Sequence, residues 1–220
     1  MKKLLFLMLA VSGLALAPYP LIAQVILKLD TFMYSPALDT VKMVDVILPP
    51  GYDQNPNTYY PVVYYLHGWT GDQNSNASII SYMNSYINQA RVEPFIMVKP
   101  SSYCEPFEGS SYVNSVLWGN YQDYVTTDLV TWIDSTFRTV PQKSHRGLLG
   151  QSMGSYGCFY LTRDHPELYR AAAGHAGCGM LESMKDTVRG LVLSESSGPP
   201  YTYTYNSITR PWTSATFLFC

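Results

Sequence analysis

Basic residues are scarce in this sequence and nowhere form a run. The 220 residues hold 14 Lys and Arg against 16 Asp and Glu, which gives a formal net charge of −2. Proteins that bind nucleic acid or an anionic membrane surface usually carry a patch of Lys and Arg, whose positive charges bind the negatively charged phosphate groups. The composition therefore predicts that neither is a partner.

Cysteine is also sparse, and its spacing matches no metal-binding pattern. The chain has Cys104, Cys158, Cys178 and Cys220, with no C-x-x-C pair among them. This spacing predicts no zinc site. Cys158 lies on the predicted helix that begins at residue 152, and Cys178 comes just after the next predicted strand, so the two form either a disulfide or a pair of buried thiols.

Long apolar runs are missing except at the N-terminus. Lys2 and Lys3 precede the apolar stretch 4–17, which is shorter than the roughly 20 residues that span a bilayer. A short basic region before a short apolar region is typical of a secretory signal peptide. We expect residues 1–23 to be that peptide, and the product to be secreted or periplasmic with no stable membrane association after cleavage. An uncleaved anchor is the alternative.

Internal repeats and low-complexity linkers are absent, so residues 24–220 are expected to form one domain. Strand-like apolar segments are 24–29, 42–48, 60–66, 94–98, 146–149 and 169–174. Segments with helical spacing are 77–90, 121–137 and 152–163; Asp123 and Asp134, on the second of these, are predicted to be solvated or capping carboxylates. Continuous apolar strands alternating with helices predict an α/β fold, with a mostly parallel sheet covered by helices on both faces.

One motif suggests a nucleophile. The stretch 150–154 reads Gly-Gln-Ser-Met-Gly, or G-x-S-x-G, between an apolar strand and a helix. On such a turn the serine is held in a strained conformation, and the two glycines remove side chains that would clash. We therefore predict Ser152 as a nucleophile, with the backbone N–H of Met153 stabilising negative charge on a substrate carbonyl. A chance match is the alternative.

A second motif, His67-Gly68-Trp69, follows the most apolar strand. A histidine-glycine turn at this place supplies the second oxyanion donor in α/β-hydrolases. Here that donor is predicted to be the N–H of Trp69, while the ring of His67 is hydrogen-bonded to hold the loop. His67 and Gly68 are then possible pocket residues. A general-base role for His67 is disfavoured because the histidine comes before the nucleophile.

Several motifs occur together and in order: "LPPGY", "YPVVYYLHGW", "DSTFRT", "RGLLGQSMGSYG" and "DHPELYRAAAGHAG". With them, residues 31–182 resemble the putative-esterase (esterase D) family, which includes feruloyl and acetyl-xylan esterases, S-formylglutathione hydrolase and mycolyltransferases. The resemblance implies an α/β-hydrolase fold and no cofactor. It matches Ser152 to the nucleophile, and Met153 and Trp69 to the oxyanion donors.

The family's acid and histidine have no clear counterpart here. In the family both follow the nucleophile, the histidine near the C-terminus, but only 68 residues (220 − 152) follow Ser152. The family's closing strands are not recognised either, so the chain is expected to be truncated. His165 fits a surface turn. His175 ends a predicted strand on the active-site side, where a pocket-lining role is favoured over a base paired with Glu182 or Asp186.

The sequence thus predicts a secreted serine ester hydrolase that forms an acyl-enzyme on Ser152. Its expected substrates are small-molecule or polysaccharide esters, with feruloyl or acetyl groups. A truncated, catalytically impaired homologue that binds carbohydrate or ester is the main alternative. A peptidase of related fold is a third.

Overall fold

The computed structural model describes residues 26–116 and 118–177. Within them, six strands form the main sheet in the order β1-β2-β4-β3-β7-β8. Strands β3, β4, β7 and β8 are parallel, and β2 is antiparallel to β1 and β4. The strands are β1 Ile26–Ser35, β2 Thr40–Leu48, β3 Val62–Leu66, β4 Ile96–Pro100, β7 Arg146–Gln151 and β8 Ala171–His175, while β5 Asn114–Ser115 and β6 Gly119–Asn120 pair separately.

Helices cover both faces of this sheet, which confirms the predicted α/β architecture. Helix α1 is Ser78–Asn88; a longer helical stretch comprises α2 Tyr121–Asp123, a π-helical turn Tyr124–Asp128 and α3 Leu129–Thr136; and α4 is Met153–Asp164. Adjacent residues of β3 serve different cores. Tyr64 packs in the larger core with the residues of α3 and α4, and Tyr65 packs with Met83 of α1. Burial on both faces explains why the strand is continuously apolar.

The predicted strands and helices correspond to observed elements, whereas the short strands β5 and β6 were not predicted. Strand β1 continues to Ser35, with a register irregularity between Lys28 and Thr31, because pairing with β2 overrides the polar residues there. The predicted signal peptide, Cys178, Cys220, Glu182, Asp186 and the closing strands lie outside the described residues. No helix within 26–116 or 118–177 is long and apolar enough to cross a membrane.

Asp134 is not the solvated or capping carboxylate that the sequence predicts. Its Oδ2 lies 2.6 Å from an Arg146 guanidinium nitrogen, and its Oδ1 accepts a hydrogen bond from Thr139 at 2.7 Å. Arg146 is buried and also donates to the carbonyl oxygen of Leu168. The ion pair therefore joins the end of α3 to the first residue of β7, the strand that leads to Ser152. Asp123 is half-buried and accepts a hydrogen bond from Asn114.

Candidate active site

The sheet topology creates a crevice between the carboxyl ends of β3 and β7. Strand β3 continues into α1 on one face, whereas β7 continues into α4 on the other. Ligands of open α/β sheets bind where connections diverge in this way. The two predicted motifs follow these two strands, so the fold brings Ser152 and the turn after β3 (residues 67–71, the β3 turn) together.

Ser152 has the strained backbone expected of a nucleophile turn. Its φ of 52° and ψ of −116° are unfavourable for a residue with a side chain, and it immediately precedes α4. Its own N–H donates to the carbonyl oxygen of His175 at 3.0 Å. The next N–H, that of Met153, begins the helix and has no intrahelical acceptor. Of the two amides, Met153 is thus the one placed to serve as an oxyanion donor.

The two glycines of the motif are required by close backbone packing. A Cβ atom on Gly150 would lie 2.2 Å from the carbonyl oxygen of Gly154, and one on Gly154 would lie 1.9 Å from that of Leu66. Real Cβ contacts are never this short, so helix α4 can approach the end of β3 only with glycine here. This approach sets the start of α4 against the β3 turn.

The ring of His67 is a structural part of the site. It is 1% exposed, its Nε2 accepts the N–H of Ser102 at 2.8 Å, and its Nδ1 donates to the carbonyl oxygen of Gly68 at 2.7 Å. The N–H of Ser102 can only donate, so the proton of the neutral ring is on Nδ1. Burial lowers the pKa of His67 to about 4. Both ring nitrogens thus have hydrogen-bond partners, as the sequence predicts for a ring that holds the loop, while the role of His67 as a pocket residue stays a prediction.

This histidine also orients the predicted second donor. The carbonyl and N–H groups of a trans peptide point in opposite directions, so fixing the Gly68 oxygen directs the N–H of Trp69 away from the ring. A Cβ atom built on Gly68 would lie 3.4 Å from the Cβ of Ser152. The peptide that carries the Trp69 N–H therefore lies directly beside Ser152.

The loop after β4 (residues 101–113, the β4 loop) holds the β3 turn in place, and sequence reasoning missed most of it. The N–H of Thr70 donates to the oxygen of Glu108 at 3.1 Å, and the hydroxyl of Tyr112 donates to the oxygen of His67 at 2.9 Å. In the same loop, the side chain of Glu105 accepts a hydrogen bond from the hydroxyl of Tyr103. One feature of the sequence could have indicated this role: the loop follows an apolar strand, and so leaves the sheet at the carboxyl edge where the site lies.

His175 reaches the site through its backbone. It is in register with Gln151 at the end of β8, so its side chain lies on the same sheet face as that of Gln151, the face covered by α1. The side chain is exposed. Among residues 26–116 and 118–177, no side-chain hydrogen bond joins His175 to Ser152 or to a carboxylate, and no group of His, Cys, Asp and Glu could hold a metal. Cys158 is a buried free thiol.

Comparison with known proteins is consistent with this geometry. The family model described as "Putative esterase" matches residues 35–186. An endo-1,4-beta-xylanase/feruloyl esterase of Xylanibacter ruminicola is 26% identical over 144 residues, which are 62% of this chain and 19% of that protein. An esterase of Mycobacterium tuberculosis is 28% identical over 139 residues, which are 61% of this chain and 28% of that protein. The chain thus spans only a minor part of these curated relatives.

Solved structures show the same fold. A ferulic acid esterase from the anaerobic fungus Anaeromyces mucronatus superposes with a TM-score of 0.59 at 23% identity, covering 72% of this chain and 60% of that one. The same fungal enzyme has been solved in complex with ferulic acid. The family match extends over more than half of the sequence, and the fold agrees with it. The chain belongs to the putative-esterase family of α/β-hydrolases.

Proposed function

We propose that the protein is a serine ester hydrolase whose nucleophile is Ser152. One observation carries the proposal: the strained Ser152 lies beside the Gly68–Trp69 peptide, whose orientation His67 fixes. A serine on a strained strand-to-helix turn, with one amide after it and one from the neighbouring loop, is the arrangement used for acyl transfer.

In the proposed reaction the Ser152 hydroxyl attacks the ester carbonyl carbon. The carbonyl oxygen becomes an oxyanion that accepts hydrogen bonds from the N–H groups of Met153 and Trp69. Collapse of the tetrahedral intermediate breaks the ester C–O bond and leaves the acyl group on Ser152. The proton that the Ser152 hydroxyl loses on attack goes to the departing alkoxide, which is released as the alcohol. Water then attacks the acyl-enzyme and releases the acid.

The proposed substrates are feruloyl or acetyl esters on polysaccharide, acted on outside the cytoplasm. The X. ruminicola relative combines a xylanase with a feruloyl esterase in its name, and the fungal structure holds ferulic acid. The N-terminal pattern of residues 1–23 supports export. Ester-decorated polysaccharides are extracellular polymers, so export would bring the enzyme to them.

The first experiment compares hydrolysis of p-nitrophenyl acetate and methyl ferulate by the wild type and by Ser152→Ala. We expect the variant to lose at least about 10³-fold in kcat, since removing the nucleophile leaves only catalysis from binding and oxyanion stabilisation. If methyl ferulate is hydrolysed faster than an acetyl ester of similar intrinsic reactivity, the result would support feruloyl esters as the substrates. Equal rates for the two proteins would contradict the proposal.

A second candidate is a homologue that binds esters without turning them over. It is favoured by one observation: no hydrogen-bonded histidine–carboxylate pair faces Ser152 among residues 26–116 and 118–177. This candidate predicts that wild type and Ser152→Ala bind methyl ferulate equally in calorimetry, and that both hydrolyse it only at the background rate.

A further inference from the structure

Gly109, in the β4 loop, contacts both residues that are proposed to donate to the oxyanion. A Cβ atom built on this buried glycine would lie 2.7 Å from the Sδ of Met153, and 2.9 Å and 3.2 Å from the Cε3 and Cζ3 of Trp69. Contacts below 3.0 Å force something to shift. The single hydrogen at this position therefore allows the two side chains to approach each other across the loop.

The β4 loop cannot easily move away to relieve such a clash. Both backbone polar groups of Glu108 are hydrogen-bonded. Its N–H donates to the carbonyl oxygen of Cys104 at 2.6 Å, and its carbonyl oxygen accepts from the N–H of Thr70 at 3.1 Å. The hydroxyls of Ser102 and Ser110 are hydrogen-bonded to each other, and Phe107 packs edge-on against Trp118. Bonds on either side of Gly109 thus fix its Cα.

The groups facing Gly109 differ in how far they can yield. The Met153 thioether is flexible, but it is buried at 6% exposure. Trp69 has only two side-chain torsions and is packed against the larger core. The backbone of Trp69 lies in the β3 turn beside Ser152. If an added Cβ atom displaces the indole, the peptide that carries the donor N–H shifts with it.

We infer that Gly109 is a positioning residue that sets the separation of the Met153 and Trp69 amides, and hence the width of the oxyanion site. The inference rests on the proposed function. Gly109 touches no reacting atom; it acts through the side chains of the residues whose backbones do. An oxyanion contact strengthens as the transition state forms, so displacing a donor lowers kcat more than it raises KM.

The test is Gly109→Ala, assayed with p-nitrophenyl acetate. We expect kcat to fall by about 10- to 100-fold with KM changed less than about threefold, below the roughly 10²–10³-fold cost of deleting a donor outright. Gly147→Ala is the matched control, because a Cβ on Gly147 meets only the oxygen of Ala171 at an ordinary 3.6 Å. The control should keep the wild-type kcat.

A double-mutant cycle distinguishes positioning from a general loss of structure. In a Trp69→Ala background there is no indole to displace, so Gly109→Ala should cost less than about twofold in kcat. The double variant lacks the clash with the indole and keeps only the contact with the flexible Met153 thioether, so it provides the measurement if Gly109→Ala alone fails to fold. The labelling rate of Ser152 by a fluorophosphonate, whose phosphoryl oxygen takes the oxyanion position, should follow the same pattern.

An unchanged kcat in Gly109→Ala, a rise in KM alone, or an equal loss in both backgrounds would overturn the inference. Each of these results would leave the proposed function intact, provided that hydrolysis depends on Ser152. A rate that Ser152→Ala does not lower would overturn the proposed function, and the inference with it.

Discussion

At the residue scale, two buried tyrosines show how position decides the value of a hydroxyl. Tyr112 and Tyr124 are both fully buried, but only the hydroxyl of Tyr112 has a partner, the carbonyl oxygen of His67. The hydroxyl of Tyr124 has no hydrogen-bond partner in the described part of the chain. Removing one partner of a buried hydrogen bond is costly, whereas removing an unpaired hydroxyl is not.

We therefore expect Tyr112→Phe to lower the free energy of unfolding by about 1–3 kcal/mol and Tyr124→Phe to leave it unchanged or raise it. Urea unfolding of the two variants beside the wild type measures this. A larger loss in Tyr124→Phe than in Tyr112→Phe would refute the assignment of the hydrogen bond.

At the element scale, the attachment of α3 to β7 depends on one ion pair. Asp134 is 18% exposed and Arg146 6% exposed, so the guanidinium would remain buried without its carboxylate. We expect Asp134→Ala to lower the free energy of unfolding by about 3–5 kcal/mol, the usual cost of leaving a buried charge unpaired. Asp123→Ala is the control, because this half-buried carboxylate at the start of the same helical stretch accepts only from the uncharged amide of the exposed Asn114. The control should cost about 1 kcal/mol or less. Thermal unfolding of the two variants would show equal losses if the pair were unimportant.

The elements of this fold were largely predictable, but the contacts between loops were not. Strands such as β3 bury both faces, so their apolar runs stand out in the sequence. Ser152 and Met153 follow from a local motif with a steric reason for each glycine. The roles of Ser102 and Tyr112 depend on His67, which is 35 and 45 residues away. Loop residues without periodicity give no local sign of partners that distant. The Asp134–Arg146 pair was missed because its residues lie on a helix and a strand whose packing against each other the sequence pattern does not reveal.

At the scale of the whole molecule, the neutral His67 makes stability depend on pH. Burial lowers its pKa from the usual 6.5 to about 4, so the unfolded chain binds a proton that the folded chain does not between those values. The contribution is fully present above pH 6.5 and is lost as the pH falls toward 4, by about 3 kcal/mol at most. Urea unfolding of the wild type and His67→Gln at pH 7 and pH 5 checks this. The wild type should lose more stability than the variant, and equal losses would contradict it.

The two cores on either side of the sheet require the side chains of β3 to alternate between them. Tyr64 and Leu66 face one core while Tyr65 faces the other, so each side chain packs against the residues on its own side of the sheet. Deleting one residue from the strand would exchange the two sets, and would also rotate the β3 turn that follows. A substitution within β3 thus changes only the volume of one side chain in one core. A change in the length of the strand moves every later side chain of β3 to the opposite face of the sheet.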